Sequence, residues 1–369
     1  PQVHPIIEKV ISQNRFGAFS VPLVGKQANG AALSAPIVGK QADLPDNIAD
    51  IAARPASPLP DKLRIVTWNC RTLFGSTQAT TEQAKRARAT RAALGRLTKL
   101  ADVILLQETH GTTADLATLR HLFTNFIVVG SFGDSPSAGG LVFMISMDLA
   151  AKYGDPTLLR KVLRVREVVP GRVAFVTLPA SLSLTRLSIF NVHIDPGMPG
   201  FDPGFSNAKL RMIYQLFGAI PARPLTHSIL AGDWNIVEAD DPRFHPKTNK
   251  FTPDASIHAK ILENKLVGFT ELHQPAYTRR QIEGKSISVL SRIDRLYSNW
   301  YTCELLDRRP HTSTVGLVTD PTTPSDHVPV VVHFASPSLG PPEFPSILSW
   351  VAKHPEFPGA VGRMWACVK

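Results

Sequence analysis

The fold prediction for this sequence starts from the segment Leu230-Ala231-Gly232-Asp233-Trp234-Asn235. A short apolar run includes Leu230 and ends at Gly232, which predicts a buried strand followed by a tight turn. A carboxylate and a carboxamide follow at the carboxyl end of that strand. Taken alone, Gly-Asp-x-Asn is more typical of a plain turn, because Gly, Asp and Asn are the commonest turn-forming residues.

Several other apolar runs in the chain end on polar groups in the same way. Open sheets tend to carry their functional side chains just beyond strand ends, on loops that a rigid scaffold positions. Because several apolar runs end in this way, the polar groups are expected to lie at one shared edge of a sheet and not in unrelated turns. The polar groups at or beside these strand candidates are Asn69, Glu108, His193, Asp233 with Asn235, Asp294, and Asp326 with His327.

Helical and strand patterns are mixed along the chain, without strict alternation of strand and helix. Two strands, Val162–Val169 and Arg172–Leu178, are predicted to pair as a hairpin through Pro170-Gly171. Asp240–Pro253 is predicted to be a polar loop. The pattern indicates an α+β fold or a sandwich of mixed sheets flanked by helices. Helices are predicted over Thr81–Leu100, Thr112–Phe123, Ser206–Phe217 and Ser256–Leu266.

The two ends of the chain differ in composition from its middle. Residues 1–60 contain a short repeat, Val24-Gly25-Lys26-Gln27-Ala28 and Val38-Gly39-Lys40-Gln41-Ala42, and finish in a Pro-rich segment. This composition predicts a flexible leader. Residues 61–335 are predicted to form the folded domain, and the Pro-rich residues 336–369 are predicted to form a tail.

The charge of the chain favours a polyanionic partner such as nucleic acid. The 369 residues carry a formal net charge of +10, and the sequence pI is about 9.7. Many basic proteins have no such partner, however. A basic run in the first predicted helix is likewise more often a solvated face than a phosphate-tracking surface.

Cysteine usage and hydropathy narrow the class further. Cys70, Cys303 and Cys367 are odd in number and far apart, which argues against a disulfide framework and for a reducing, intracellular compartment, with the nucleus left open. No apolar run approaches the roughly 18 residues of a membrane span. No signal-peptide pattern opens the chain, and the absence of an initiator Met indicates a fragment or a processed product, whose targeting signals would be missing.

The side chains at the predicted strand ends are mostly oxygen donors. Such a set suits a hard cation such as Mg²⁺, whereas zinc would require Cys or more His residues. A carboxylate beside a histidine is what general-base activation of water needs. Asn side chains supply neutral donors for a developing negative charge.

Seven short motifs, taken together and in order, resemble the endonuclease/exonuclease/phosphatase superfamily. The resemblance covers residues 63–334 and implies a four-layered, DNase-I-like sandwich of two mixed sheets between helices. Each motif is weak alone, but the ordered set is specific. The motifs are Trp68-Asn69, Gln107-Glu108-Thr109, Gly139-Gly140, Val192-His193, Gly232-Asp233-Trp234-Asn235, Arg292-Ile293-Asp294 and Ser325-Asp326-His327.

The resemblance implies a role for each matched residue. Glu108 is expected to bind Mg²⁺, with Mn²⁺ as the alternative ion, and Asn69 to contact metal or phosphate. Asp326 is expected near the metal. Asn235 and Arg292 are expected, with Asn69, to contact phosphate or nucleic acid.

The expected catalytic residues are Asp233, Asn235, Asp294, His327 and His193. Asp233 and Asn235 would position the attacking water, His327 would act on the phosphate, and Asp294 would orient His327. Which of His327 and Asp233 takes the proton stays open. Each residue also has a structural alternative as a turn former, helix cap, ion-pair partner or backbone-bonded histidine, but six such coincidences would be needed.

Two positions depart from the abasic-site nucleases of the superfamily. Those enzymes carry Tyr where His193 stands and an acid where Arg71 stands, whereas pancreatic-DNase-like and lipid-directed members carry His at the first position. The inositol-phosphatase pattern also fits poorly, because Ile236-Val237 follows Asn235 here.

The run Gly232 to Val237, followed by Asp241-Pro242-Arg243, resembles endonuclease domains of LINE-type retrotransposons. With the basic clusters Arg164-Arg166, Arg279-Arg280 and Arg308-Arg309, this resemblance implies a Mg²⁺-dependent DNA endonuclease of retroelement type. The alternatives are a phosphatase or sphingomyelinase-like phosphodiesterase of the same fold, or an inactive nucleic-acid-binding relic. DNA against RNA, target sequence, abasic-site preference, the number of metals and the oligomeric state stay open.

Overall fold

The computed structural model describes residues 60, 62–74, 80–181, 184–195, 203–221, 226–237, 241–252, 257–283, 286–300, 310–315 and 325–334. Side chains of residues 203–207 are excepted. Apart from Pro60, the predicted leader lies outside the described residues, and so does the predicted tail. The basic pair Arg308-Arg309 also lies outside them.

Helices begin where side chains can cap free backbone N–H groups. Thr80 caps the first helix in a capping box with Gln83, and Asp155 caps a later one that starts with Pro156. The described helices are α1 (Thr81–Leu97), α2 (Asp115–Leu122), α3 (Met147–Tyr153), α4 (Pro156–Val162), α5 (Pro203–Ala219) and α6 (Ile257–Lys265).

The first large sheet is mixed. Its strands are ordered β15-β16-β1-β2-β4-β3, and only the pair β1 and β2 within it runs parallel. Parallel neighbours end at the same edge, so their carboxyl ends lie side by side. The strands are β1 (Leu63–Asn69), β2 (Val103–Gln107), β3 (Phe126–Ser131), β4 (Leu141–Ser146), β15 (His311–Thr314) and β16 (Val330–Phe334).

The second large sheet is built in the same way, in the order β11-β14-β8-β7-β6-β5. Its parallel pair is β7 and β8, whose register places His193 opposite Asp233. The strands are β5 (Arg166–Val169), β6 (Val173–Leu178), β7 (Arg186–His193), β8 (Thr226–Asp233), β11 (Thr270–Glu271) and β14 (Asp294–Ser298).

Three hydrophobic clusters define four layers. Alternate residues of each central strand face opposite sides, so that Ile65 of β1 and Ile229 of β8 lie in the cluster between the sheets. Val66 packs with α1 and α2 on one outer face, and Leu230 packs with α5 and α6 on the other. The order helix, sheet, sheet, helix confirms the predicted four-layered sandwich of mixed sheets.

Two buried amides join the facing sheets close to the shared strand ends. Nε2 of Gln107 donates to Oδ1 of Asn191 at 2.6 Å and to Oγ1 of Thr67 at 3.0 Å. Nδ2 of Asn191 donates in turn to the carbonyls of Leu106 and Val142. Because buried polar groups tolerate little misalignment, these bonds fix how the end of β2 meets the end of β7.

A third, smaller sheet of four antiparallel strands, in the order β10-β9-β13-β12, lies beside the sandwich. The predicted polar loop Asp240–Pro253 was wrong in part, because it contains the hairpin of β9 and β10. This sheet is called the accessory sheet below. Its strands are β9 (Arg243–His245), β10 (Lys250–Thr252), β12 (Arg279–Glu283) and β13 (Ser286–Ser291).

The other predicted elements compare well with the structure, with one clear error. The predicted strand Val162–Val169 is in fact the end of α4 followed by the shorter β5. The hairpin through Pro170-Gly171 is confirmed, since β5 and β6 pair antiparallel across it. The four predicted helices are confirmed with slightly different ends, as α1, α2, α5 and α6.

Two sequence expectations concern the chain as a whole. None of the helices in the described part of the chain combines the length and apolarity needed to cross a membrane. Cys70 is buried and free, and burial raises the pKa of its thiol to about 12. Cys303 and Cys367 lie outside the described residues.

Candidate active site

The polar strand ends of both large sheets meet at one edge of the sandwich. Asn69 ends β1, and Glu108 follows β2, its parallel neighbour. In the other sheet Asp233 pairs directly with His193 on one side and with Asp294 on the other. The two parallel pairs thus place acids from both sheets in the same space.

Asn69 connects the acids of the two sheets. Its Nδ2 donates to Oε1 of Glu108 at 3.0 Å and to Oδ2 of Asp233 at 2.9 Å. Glu108, His193 and Asp233 each offer one ligand atom, and these atoms all lie within 4.8 Å of one another. A carboxamide shared by two carboxylates holds both in fixed positions around one small volume.

Glu108 is held in an ionised state. Burial alone would raise the pKa of its carboxyl, but the contact with His193, reinforced by Asn69, holds that pKa well below its usual range. Its backbone adopts a left-handed conformation with φ of 50°. Such strain in a residue other than Gly persists only where surrounding structure enforces it.

Arg172 fixes the tautomer of His193. Nη1 of Arg172 lies 3.0 Å from Nδ1 of His193, and a guanidinium can only donate, so Nδ1 is the acceptor. A ring proton therefore sits on Nε2, which lies 3.1 Å from Oε1 of Glu108. His193 consequently supports the charge of Glu108, and its lone pair is turned away from the acids.

A second group lies on the other side of Asp233. Nδ1 of His327 lies 2.9 Å from Oδ2 of Asp294, and Nε2 of His327 lies 3.8 Å from Oδ2 of Asp233. Burial would lower the pKa of His327, but the charges of Asp294 and Asp233 raise it to about 9. His327 is therefore a cation at neutral pH, with its Nε2–H directed toward the side of Asp233.

Asp294 is anchored as well as buried. Burial raises the pKa of its carboxyl, and the neighbouring His327 opposes that shift. Oγ1 of Thr278 accepts hydrogen bonds from the backbone N–H groups of Ile293 and Asp294, at 3.1 Å each. This clamp sets the position from which the carboxyl orients the His327 ring.

The turn of the opening motif fixes Asp233 and Asn235 relative to each other. Oδ1 of Asp233 accepts from the backbone N–H of Asn235 at 3.0 Å, and Oδ2 accepts from its Nδ2 at 3.2 Å. Asn235 has a φ of 47°, a conformation that Asn tolerates better than most residues. At Gly232 a Cβ would lie 1.8 Å from the carbonyl oxygen of Val192, so only Gly allows β7 and β8 to approach this closely.

Comparison with protein families gives a match to the Endonuclease/Exonuclease/phosphatase family over residues 66–327. The chain belongs to the endonuclease/exonuclease/phosphatase family. Members of this family are nucleases and phosphatases that typically use divalent metal ions, which places the chain among phosphate-ester hydrolases. No curated protein matches the chain by sequence.

Solved structures agree with the family fold. An AP endonuclease from Leishmania major has a TM-score of 0.55 at 15% identity, covering 89% of this chain and 99% of that chain. A 3'-5' exonuclease from Neisseria meningitidis has a TM-score of 0.52 at 17% identity, covering 74% and 100%. The endonuclease domain of the retrotransposon TRAS1 has a TM-score of 0.45 at 15% identity, covering 74% and 98%. At these identities the first two show the fold alone.

The structure brings together most of the residues that the family motifs singled out. They are Asn69, Glu108, His193, Asp233, Asn235, Asp294 and His327. The alternative of a surface ion pair is wrong for Asp294, which is fully buried against His327. Gly139-Gly140 supports the loop of Glu108, because its carbonyls accept from the N–H groups of Thr109 and His110.

Asp326 is not brought into either group. Its carboxylate lies 3.2 Å from Nη1 of Arg71 and 3.4 Å from Nε of Arg279. Burial would raise the pKa of Asp326, but the charges of His327 and the two guanidinium groups outweigh burial and lower the pKa. The carboxylate is therefore ionised and paired. The expectation that Asp326 lies among the metal ligands does not match this placement.

Arg292 also departs from its expected role. It is only 4% exposed, and its guanidinium pairs with Asp241 and Glu271 instead of facing a cleft. Since these acids lie 51 and 21 residues away in sequence, no local sequence pattern predicts that they pair with Arg292. The structure does not present Arg292 to phosphate.

Sequence reasoning missed three residues that contact the site. Arg172 and Thr278 belong to no motif of the family set, and no sequence signal marks them. His110 is also outside that set, and its Nε2 lies 3.9 Å from Oε2 of Glu108. Its position directly after Gln107-Glu108-Thr109 is the signal that the sequence offers.

The donor set fits a hard divalent ion. Glu108, Asp233 and Asp294 crowd three carboxyl groups near two histidines, an excess of negative charge that a bound cation would offset. Because Nδ1 of His193 accepts from Arg172, the other ligand atoms of this group come from carboxylates and are oxygens. Oxygen ligands favour Mg²⁺ or Mn²⁺ over zinc.

Proposed function

We propose that this chain is a Mg²⁺-dependent DNA endonuclease of retroelement type, which hydrolyses a phosphodiester by attack of water. The observation that carries the proposal is the placement of Asp233 between two groups. On one side lies Glu108 with His193, and on the other lies His327 with Asp294. An acid that adjoins both a cation site and an imidazolium is suited to activating water beside a phosphate.

Glu108 and Asp233 would hold the divalent ion, and Asn69, expected from its motif to contact metal or phosphate, would orient both carboxylates through its Nδ2. When bound, the ion supplies Lewis-acid polarisation of a phosphate oxygen. His193 keeps Glu108 ionised and oriented through its Nε2–H. Asp326 is not placed among the ligands of the ion, because two guanidinium groups already neutralise it.

The protonation state of His327 supports Asp233 as the base. With a pKa of about 9, His327 already carries its proton at neutral pH and cannot accept another. It would instead donate from Nε2 to a nonbridging phosphate oxygen and stabilise the charge that develops there. Oδ1 of Asp233, which accepts one hydrogen bond from Asn235, would take the proton of the attacking water.

DNA is favoured as the substrate by charge and by resemblance. The net charge of +10 suits a polyanion, and the run Gly232 to Val237 with Asp241-Pro242-Arg243 resembles LINE-type endonuclease domains. In this structure Asp241 pairs with Arg292 and Arg295, so that the acid of the resembling segment braces the scaffold. Residues 61–335 would form the nuclease domain between a leader and a tail.

Plasmid nicking tests the proposal. Supercoiled DNA should be converted to the open-circular form in the presence of Mg²⁺, and the conversion should stop on chelation and in Glu108→Ala. Glu167→Ala, a change in the exposed strand β5, is the matched control and should nick normally. Parallel incubation with inositol phosphates and sphingomyelin tests the alternative substrates. Turnover of one of these with intact plasmid, or no turnover of any substrate, would refute the DNA endonuclease.

A further inference from the structure

The accessory sheet is continuous with the candidate active site. Arg279 of β12 forms a β-bridge with His327, and its Nε lies 3.4 Å from Asp326. The backbone N–H of Arg280 donates to the carbonyl of Asp326 at 2.9 Å. A nucleic-acid strand that leaves the reacting phosphate on this side would therefore run onto the accessory sheet.

The described residues of the accessory sheet are strongly cationic. Across the hairpin 243–252 and the strands 279–283 and 286–291, the charged side chains are Arg243, Lys247, Lys250, Arg279, Arg280 and a single acid, Glu283. The acid lies 3.7 Å from Lys247, a contact between two exposed side chains. Arg279 is likewise paired, with Asp326, and the positive charge that Lys250 and Arg280 add to the sheet is complementary to a phosphate backbone.

One face of the accessory sheet carries a row of aromatic and apolar side chains. Phe251 pairs across the strands with Phe244, Phe244 with Leu290, and Leu290 with Arg280. Directly paired residues in antiparallel strands project from the same face, so the row ends in an aromatic ring on one edge and a guanidinium on the other.

Phe251 is exposed yet held in place. It is 60% exposed, and its ring lies 4.9 Å from that of Phe244, which in turn stacks on Tyr277 at 6.4 Å and 12°. Single exposed apolar residues are common on protein surfaces and need no explanation. A ring braced by a second aromatic, within a cationic sheet that borders the site, is different, because it matches a base-stacking platform.

We propose that the accessory sheet binds a single-stranded segment of the nucleic acid next to the reacting phosphate. Phe251 stacks on an unpaired base, and Arg280, at the other end of the row, contacts the backbone. This inference rests on the proposed function, since it assumes that the neighbouring site acts on nucleic acid. It specifies the substrate as one with an unpaired or locally opened strand beside the cut.

Equilibrium binding tests the platform without turnover. Fluorescence anisotropy with a labelled single-stranded oligonucleotide, in EDTA, should show Phe251→Ala binding about 5- to 150-fold more weakly than the unchanged chain. Phe251→Trp should retain affinity, because it preserves an aromatic face. Val267→Ala is the matched control, since Val267 is 80% exposed but lies outside the accessory sheet, and it should bind normally.

Two further measurements separate stacking from charge. Arg280→Ala should lower the salt dependence of binding by about one unit of slope, whereas Phe251→Ala should leave the slope unchanged. The change Phe251→Ala should weaken the binding of a duplex of the same sequence much less than it weakens the binding of the single strand.

The outcomes distinguish this inference from the proposed function. Equal affinity of Phe251→Ala and the unchanged chain for the single strand would overturn the platform, even if the plasmid is nicked. Failure of the chain to bind the single strand at all would overturn it too. Selective loss of affinity in Phe251→Ala supports the platform, even if no nicking is observed and the proposed function fails.

Discussion

Arg292 and Asp294 stand two residues apart at the entrance to β14, yet their side chains join different groups of charges. Arg292 and Arg295 meet Asp241 and Glu271, two cations against two acids. Asp294 meets His327 and Asp233 in a group where acids crowd together and a histidine is forced into its charged form. The first group can be called the balanced cluster and the second the acidic site.

The contrast separates charge that supports the fold from charge that is arranged for chemistry. In the balanced cluster burial would raise the pKa of Glu271, but the contact with His273 and the charges of Arg295 and Arg292 lower it to about 2, so the carboxyl is ionised. In the acidic site the neighbouring acids raise the pKa of His327, which shows that negative charge is in excess around its ring. Perturbation in that direction, within a cleft, is a property of functional sites more than of structural ion pairs.

Breaking the acidic site should have the largest effect, on rate and not on folding. In plasmid nicking, His327→Ala and Asp294→Asn should each reduce kcat by about 10³-fold, within the range that general acid–base groups contribute. His333→Ala, a change to a partly exposed histidine on β16, is the control and should nick normally. A variant of His327 that retains more than a tenth of the rate would remove it from the chemistry.

Breaking the balanced cluster should give the opposite pattern. Arg292→Met should lower the free energy of unfolding by about 3 kcal/mol, because it removes a buried guanidinium and leaves two partly buried acids with one partner fewer. Urea unfolding measures the loss, and Arg280→Ala, on an exposed position, should change stability by no more than about 0.5 kcal/mol. At saturating substrate Arg292→Met should nick at close to the normal rate.

The reverse result for Arg292→Met would restore the role that its motif suggests. If stability were unchanged and the KM for DNA rose steeply, the side chain would be a phosphate contact after all. The two readouts thus decide whether Arg292 belongs to the fold or to the site.

Arg172 offers a finer test, because it acts on the acidic site only through His193. Arg172→Gln should free the ring of His193 to exchange tautomers and weaken its hold on Glu108, reducing activity about 10- to 100-fold, as loss of a residue that orients a metal ligand does. The concentration of Mg²⁺ needed for half-maximal rate should rise, while the KM for DNA changes little. Arg186→Gln, at the exposed start of β7, is the control. An unchanged Mg²⁺ requirement would contradict the tautomer argument.

The fold was predictable from sequence where a signal is local and repeated. Apolar runs that end on a polar residue marked buried strands, and the ends of β1 at Asn69 and of β8 at Asp233 were found in this way. The helix α4 had an equally local signal in Asp155-Pro156, a cap followed by Pro at the first turn, which the strand prediction over Val162–Val169 overlooked.

The site was predictable only in part, because its partners are set by topology. Arg292 and Asp326 carry the right chemistry at the right motifs, but their acids and guanidinium groups come from strands and loops distant in sequence. Arg172 reaches His193 because β6 and β7 are neighbours, and nothing in its own surroundings distinguishes it from other arginines. Convergence of residues can be inferred from a motif set, whereas pairing requires coordinates.

The pH dependence gives the smallest and most graded test of the contrast. The folded-state pKa of His327 is raised to about 9, so its proton stabilises the fold fully below the usual value near 6.5, and that contribution is lost as the pH rises through 9. If the imidazolium serves the reaction, kcat/KM should fall about tenfold for each pH unit above 9. Glu271 has a depressed pKa instead, so the balanced cluster should stay intact over this alkaline range and weaken only below about pH 4.5. Rates measured from pH 7 to 10.5, with circular dichroism at each pH, would show whether activity declines before structure does. A rate that instead rises between pH 7 and 9 would mean that His327 works as the neutral base, and the proton assignment between it and Asp233 would have to be exchanged.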